Sequence, residues 1–202
     1  MLKSRGHLVQ TDLIMRGKNK RYKQAKTIRI YRKAHRTTGI FLFAFFFIVS
    51  ITAVLLGWKK HSSGILLPET QQGISSNFKD WMPLDELHEL AFQAIRDSLT
   101  LQDKPILDRI DIRKNKGILK FTFTNTYLEV QLDGVTGKTL SLSQRRSDFI
   151  ERVHDGTVLD DFFETNNGQI KLVYTTIMGL GLLLFTISGF WLWYGPKRMK
   201  RK

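Results

Sequence analysis

The side chains of this sequence best suited to chemistry are five histidines, three of which stand near the ends of two uncharged apolar runs. His35 lies just before the first run, residues 39–58, and His61 just after it. His154 precedes the second run, residues 172–194, by a stretch whose Val158, Leu159, Phe162 and Phe163 form an apolar edge suited to an interface. Imidazole is a standard metal and haem ligand. His61 and His154 then face the same compartment, whereas His35 has no partner on its own side except His7 or another copy of the chain. Ligation by His35 and His154, with His61 as a further candidate ligand, and in a homodimer if two imidazoles must pair, is one reading. The other is structural: His35 as an interfacial cation beside Arg36, His154 capping a turn with Asp155-Gly156, and His61 as a solvated flank after Lys59-Lys60.

Other chemistries lack their residues. His88-Glu89 is followed by Phe92 where a zinc protease needs its second histidine. No Gly-x-Ser-x-Gly element frames a serine nucleophile. The absence of cysteine removes thiolate metal sites, a thiol nucleophile, disulfides and covalent c-type haem. Asp155, Asp160, Asp161 and Glu164 form an acidic cluster that reads as a solvated helix N-terminal face, with weak cation binding as its alternative.

The elements that must position these side chains begin with the apolar runs. A helix needs roughly 20 apolar residues to cross about 30 Å of hydrocarbon, and both runs are long enough and free of charge. Trp58, Trp191, Trp193 and Tyr194 fit interface anchors. The formal charge of +14 is concentrated in two tails. Residues 1–38 hold twelve Lys/Arg against Asp12 alone, and residues 197–202 add five more. Because Lys and Arg are retained on the cytoplasmic side, both termini are expected there, with residues 59–171 outside and the first run acting as a signal anchor. The basic arm is expected to lie on anionic lipid of the inner leaflet. No fold or aromatic platform accompanies its charge, so nucleic acid is not the expected partner. Ser50, Ala53 and Gly57 form a small-residue stripe matched in depth by Thr175 and Gly179, which predicts that the two spans touch there.

Between the runs, Leu84, Leu87, Ala91, Ala94, Ile95 and Leu99 recur at helical spacing and predict an amphipathic helix over about 83–100. The period then becomes two. Ile110 and Ile112, then Leu119, Phe121 and Phe123, then Leu128, Val130 and Leu132 alternate with polar residues, and Asn115-Lys116-Gly117 and Asp133-Gly134 mark the turns. This predicts one helix packed on an antiparallel meander. Roughly 60 residues is marginal for a domain standing alone, so burial against the membrane, a partner or a second copy would help it.

The helix and meander, ending in Leu132-Asp133-Gly134-Val135-Thr136-Gly137-Lys138-Thr139-Leu140, resemble a PepSY domain. The flanks Arg32-Lys33-Ala34-His35-Arg36-Thr37-Thr38-Gly39, Ser147 to Gly156, and Ser188-Gly189-Phe190-Trp191-Leu192-Trp193 resemble PepSY-associated transmembrane proteins, over about residues 30–198. The sequence departs from the longer four-span members, which include bacterial ferrisiderophore reductases, in having two spans. The resemblance implies an α+β protein of the bacterial inner membrane. Its expected parts are a basic arm (1–38), a first transmembrane helix (39–58), a linker (59–79), an extracytoplasmic PepSY-like domain (80–142), an interfacial segment (143–171), a second transmembrane helix (172–194) and a basic tail (195–202). It also implies b-type haem, and an accessory or electron-transfer role in iron or siderophore uptake or reduction within a homodimer or larger membrane complex. A non-catalytic module that captures a peptide or an envelope enzyme is the alternative, and a purely structural scaffold is a third.

Overall fold

In the computed structural model, which describes residues 2–98, 105–165 and 167–200, the chain is α+β. The elements in chain order are α1 (Leu2–Trp58), α2 (Leu84–Ser98), β1 (Leu107–Arg113), β2 (Ile118–Phe123), β3 (Leu128–Asp133), β4 (Thr139–Gln144), α3 (Arg146–His154), α4 (Thr157–Phe162) and α5 (Gln169–Lys200). Leu99 and the expected end of the amphipathic helix lie outside the described residues. Two units emerge: residues 1–48 with 159–202, and residues 49–158.

In the first unit, α1 and α5 are long and apolar enough to cross a membrane, and only 6% of each apolar window is buried. A core helix of a soluble protein would be covered; these present Phe41, Phe43, Phe47, Leu182 and Leu183 outward, which is the pattern lipid demands. Helix α1 is not confined to the apolar run. It continues through the basic arm because Lys, Arg, Gln, Ala and Met are good helix formers and no proline interrupts residues 2–58.

The two helices pack antiparallel on a seven-residue repeat. Ile28, His35 and Leu42 of α1 meet Gly195, Ser188 and Gly181 of α5 in turn. A Cβ on Gly195 would lie 3.1 Å from Ile28, and one on Gly181 would clash with Leu42. Between these layers a Cβ on Gly39 would lie 3.1 Å from the Phe185 ring. Tyr31 stacks on Trp191 at 6.0 Å, and Phe46 meets Phe185 edge-on at 6.0 Å. Small residues let backbones approach where lipid supplies no hydrophobic drive, and a repeat of seven keeps the same faces together along both helices.

The two halves of the expected stripe fall in different units, Ser50, Ala53 and Gly57 in the second and Thr175 and Gly179 in the first. The Thr175 hydroxyl donates to the Lys171 carbonyl at 2.8 Å. Within the first unit, close approach is made by Gly39, Gly181 and Gly195.

One member of the acidic cluster caps α5. Asp160 is buried, and its carboxylate accepts from the Ile170 and Lys171 amides at 3.0 and 2.8 Å and from the Thr165 hydroxyl, capping the start of α5. The Thr165 hydroxyl, opposed by burial and aided by the Lys171 and Ile170 amides and the Lys171 charge, holds this carboxyl below the ordinary range.

In the second unit, β1 to β4 form an antiparallel sheet in sequence order. Ile110 is registered on Phe121, Phe121 on Val130, and Val130 on Leu142. Leu87, Ala91 and Ile95, each four residues apart on α2, bury against Leu119, Phe121, Phe123, Val130 and Leu132. Strand β4 extends the expected three-strand pattern.

The other sheet face is also covered. Lys120, Thr122, Glu129, Gln131 and Asp133 are all buried, although their alternation with apolar residues reads as a solvated face. The linker supplies the cover. Gln71 donates its amide to the Gln131 side chain, which donates in turn to the Glu69 carbonyl, both at 2.8 Å, and the Gly73 amide donates to the Lys116 carbonyl at 2.7 Å. A Cβ on Gly73 would collide with the Gly117 carbonyl oxygen, so this crossing requires glycine.

Asp133 organises the turn before β4. Its carboxylate accepts from the amides of Ile74, Val135 and Thr136 and from the Thr136 hydroxyl, at 2.7 to 3.0 Å. Burial pushes the carboxyl up, but the Thr136 and Ile74 amides, the Thr136 hydroxyl and the Val135 amide together hold it below the usual carboxylate range.

Candidate functional site

The helix and sheet scaffolds each fix one histidine through a hydroxyl on an apolar helix. In α1, His35 Nδ1 lies 2.8 Å from Ser188 Oγ, and that oxygen lies 3.1 Å from the Phe185 carbonyl. At the end of α3, His154 Nδ1 lies 2.9 Å from Thr52 Oγ1, and that oxygen lies 3.1 Å from the Val49 carbonyl. Each hydroxyl thus stands between a ring nitrogen and a backbone carbonyl, and when its single proton goes to the carbonyl the imidazole donates from Nδ1–H and keeps its lone pair on Nε2. Both hydroxyls are buried, with Ser188 at 2% and Thr52 at 8% exposure, so water competes little for these bonds.

The His35 ring is held by more than its hydrogen bond. It stacks on Phe185 with ring centroids 3.8 Å apart, and Gly189 leaves room for its edge, since a Cβ there would reach only ordinary contact at 3.5 Å. Beside it lies a shallow, open depression lined by His35, Arg36, Gly39, Ile40, Phe43 and Phe185. Its walls are mainly apolar, with one guanidinium at the edge, and Ile40 and Phe43 are largely exposed.

His154 owes its position to a buried charge network at the start of α3. Glu129, fully buried on β3, pairs with Lys120 at 3.1 Å and with Arg145; Arg145 also donates to Asp148 at 2.7 Å. Burial alone would lower the Arg145 pKa, but Asp148 and Glu129 outweigh it and hold it above its ordinary value. The Ser147 amide donates to the Leu66 carbonyl at 2.8 Å. These bonds fix the first turn of α3 to the sheet, and two helical turns later the chain delivers His154. Asp155 closes the helix by accepting from the Thr157 amide and hydroxyl, at 2.9 and 2.6 Å, and Gly156 takes φ +81°. The turn-capping role belongs to Asp155, while His154 faces Thr52.

His61 ends a short 3₁₀ turn, Lys59–His61, and is exposed. The structure shows no hydrogen bond or ring contact between His61 and His154. The side chain of His7 lies outside the described residues. His88 is half-buried on α2, 4.6 Å from the Phe92 ring and 3.4 Å from the Glu89 carboxylate. Among the described residues, no three His, Asp or Glu side chains converge as a metal site.

Sequence reasoning did not find Ser188 and Thr52 as imidazole partners. The signal for Ser188 lies in the spacing Gly181, Ser188, Gly195: three small residues seven apart, with the hydroxyl in the central layer. Thr52 carried no such signal, because its partner comes from a segment a hundred residues away.

The family described as PepSY-associated TM region matches residues 32–202. No curated protein and no solved structure matches the chain.

Proposed function

The chain belongs to the family of PepSY-associated transmembrane regions, and from that premise we propose that it is an inner-membrane electron-transfer or accessory subunit that holds b-type haem through His35 and His154. One observation carries this reading: each imidazole is bound at Nδ1 by a buried hydroxyl of an apolar helix, which presents the basic Nε2 to a ligand. Fixing one ring nitrogen so that the other can coordinate is how proteins orient histidine ligands, and such supporting partners are worth 10- to 100-fold in affinity. Haem would supply one-electron chemistry. The protein's own contribution is the tautomer, the Phe185 stack and the apolar wall beside His35. A second copy would provide the opposing imidazole at each site, which makes the functional unit a homodimer. On this reading the electron flow belongs to iron or siderophore uptake or reduction, the role of the longer four-span members that include ferrisiderophore reductases. The charge distribution supports cytoplasmic termini and an external sheet domain, and an alkaline phosphatase fusion at Asn115 should be active.

The test is optical. Protein purified in mild detergent should show a reduced b-type Soret band, lost in part in each of His35→Ala and His154→Ala and wholly in the double variant. Ser188→Ala and Thr52→Ala should retain haem but bind it more weakly. A colourless wild-type protein that is folded and stays colourless on adding hemin would sink the proposal.

The outer face of α2 supports the binding-module alternative through a groove of about 430 Å³ lined by Met82, Asp85, Glu86, His88, Glu89 and Leu90. Its acidic rim suits a basic peptide, and on this reading Asp85→Asn with Glu89→Gln abolishes capture of a Lys/Arg-rich peptide while leaving the haem spectrum unchanged.

A further inference from the structure

We infer that the helix pair carries a discrete site for the headgroup of an anionic phospholipid, bounded by Lys23 of α1 and Arg198 of α5. The two side chains line a cavity of about 180 Å³ whose other walls include Gln24, Ile28, Trp191 and Gly195. The cavity exists because residue 195 is glycine: it is buried in the helix interface, and a side chain there would press on Ile28 at 3.1 Å.

The chemistry of the occupant follows from the lining. Two cations from different helices converge where carboxylates are nearly absent, since Asp12 is the sole acidic residue in the first 38 and residues 197–202 contain none. Both side chains are exposed and stand free to meet an anion. The neighbouring lysine is otherwise engaged, because Lys197 Nζ lies 3.8 Å over the Trp193 ring, leaving Arg198 to serve the cavity. A guanidinium matches a phosphate with two parallel hydrogen bonds, and the lysine adds a mobile point charge. The remaining wall, Ile28 and the Trp191 ring, is apolar and would be wasted on a free inorganic ion. Trp191, Trp193 and Tyr194 set this depth at the membrane interface, where the phosphate of a lipid sits with its glycerol and acyl carbons directed toward the hydrocarbon. An amphiphile with an anionic head satisfies every side of the cavity, and basic pockets between helices at this depth are general lipid-headgroup receptors.

The experiment is native mass spectrometry of the full chain released from nanodiscs of phosphatidylcholine and phosphatidylglycerol. Wild-type protein should retain phosphatidylglycerol selectively, and Lys23→Gln with Arg198→Gln should lower that retention roughly ten-fold or more, given the worth of two basic groups near an anionic surface. Lys18→Gln with Lys33→Gln removes the same charge from the arm but not from the cavity and should leave retention within about two-fold of wild type. Equal loss in both double variants would reduce the effect to diffuse attraction and overturn the site. So would unchanged retention in the Lys23/Arg198 variant, or displacement of the lipid by millimolar inorganic phosphate, which would mark the cavity as a site for free anions.

Discussion

The helix pair and the sheet domain solve the same packing problem in opposite ways. The helices turn Phe, Leu and Ile outward and bury glycine, serine and a histidine at their seam, while the sheet domain buries Phe121, Ile95 and Leu132 on one face and Lys120, Glu129 and Arg145 on the other. The difference is the surrounding medium. In lipid, apolar surface gains nothing by being hidden, so helices associate through close backbone approach and a few polar contacts. In water, apolar burial drives folding at about 25 cal/mol per Å², and a charge can be buried only with its partners.

The sharpest way to break that comparison is to leave a charge alone in the sheet domain. Glu129→Ala abandons Lys120 and Arg145 inside the protein and should cost about 3–5 kcal/mol in denaturant titrations followed by Trp81 fluorescence. Replacing Lys120, Glu129 and Arg145 together by Met, Leu and Met should cost much less, and equal losses from the two variants would show that the network is not behaving as buried ion pairs. Next in size, Gly73→Ala sets a methyl group against the Gly117 carbonyl and should destabilise the same transition by roughly 2–3 kcal/mol. Its loss should also free Gln131 and Asp133 from the linker, visible as faster amide exchange at Gln71 and Ile74.

In the helix pair the corresponding test is Gly181→Leu, which forces Leu42 away and should separate the helices, weakening pairing by about 1–3 kcal/mol. A spin label on each helix should report the separation, while the sheet domain's unfolding midpoint should not move.

In the sheet domain an acid response is expected from Asp133. Asp133 has a folded pKa below its unfolded value of about 3.9, so between those values the unfolded chain binds more protons. The stability that Asp133 contributes is therefore complete above the unfolded pKa and is lost as pH falls through the folded one. Asp133→Asn should lower stability at neutral pH and flatten the acid limb of the profile; an unchanged limb would assign acid sensitivity to other carboxylates. The smallest effect is expected at the exposed Lys59–Glu151 pair, 3.6 Å apart, where Lys59→Ala should change stability by no more than about 0.5 kcal/mol.

Legibility followed the range of the forces involved. Helix α2 and strands β1 to β3 could be read because periods of 3.6 and 2 are local patterns that a single buried face imposes. The apolar runs could be read from length and charge alone. The polar positions of β2 and β3 could not, because whether Lys120 and Gln131 meet water depends on where residues 66–75 lie. The seam at Gly39, Gly181 and Gly195 could not be read for a related reason: small residues occur on several faces of α1 and α5, and none carries a mark of which face its partner occupies. His35 and His154 stood out by residue type, but the partners that orient their rings, Ser188 and Thr52, lie far away in the chain.

By itself, then, the amino-acid order determined which stretches are apolar enough for lipid, where the charge collects, and the alternation that makes a helix and a meander, because each of these is set by neighbours within a few residues. The folded chain decided which sheet face is sealed, which glycines admit a neighbouring helix, and which hydroxyl each imidazole meets. Those outcomes depend on atoms brought together from distant parts of the chain, Gln71 with Gln131, Ile28 with Gly195 and His35 with Ser188, and no local pattern encodes such a meeting.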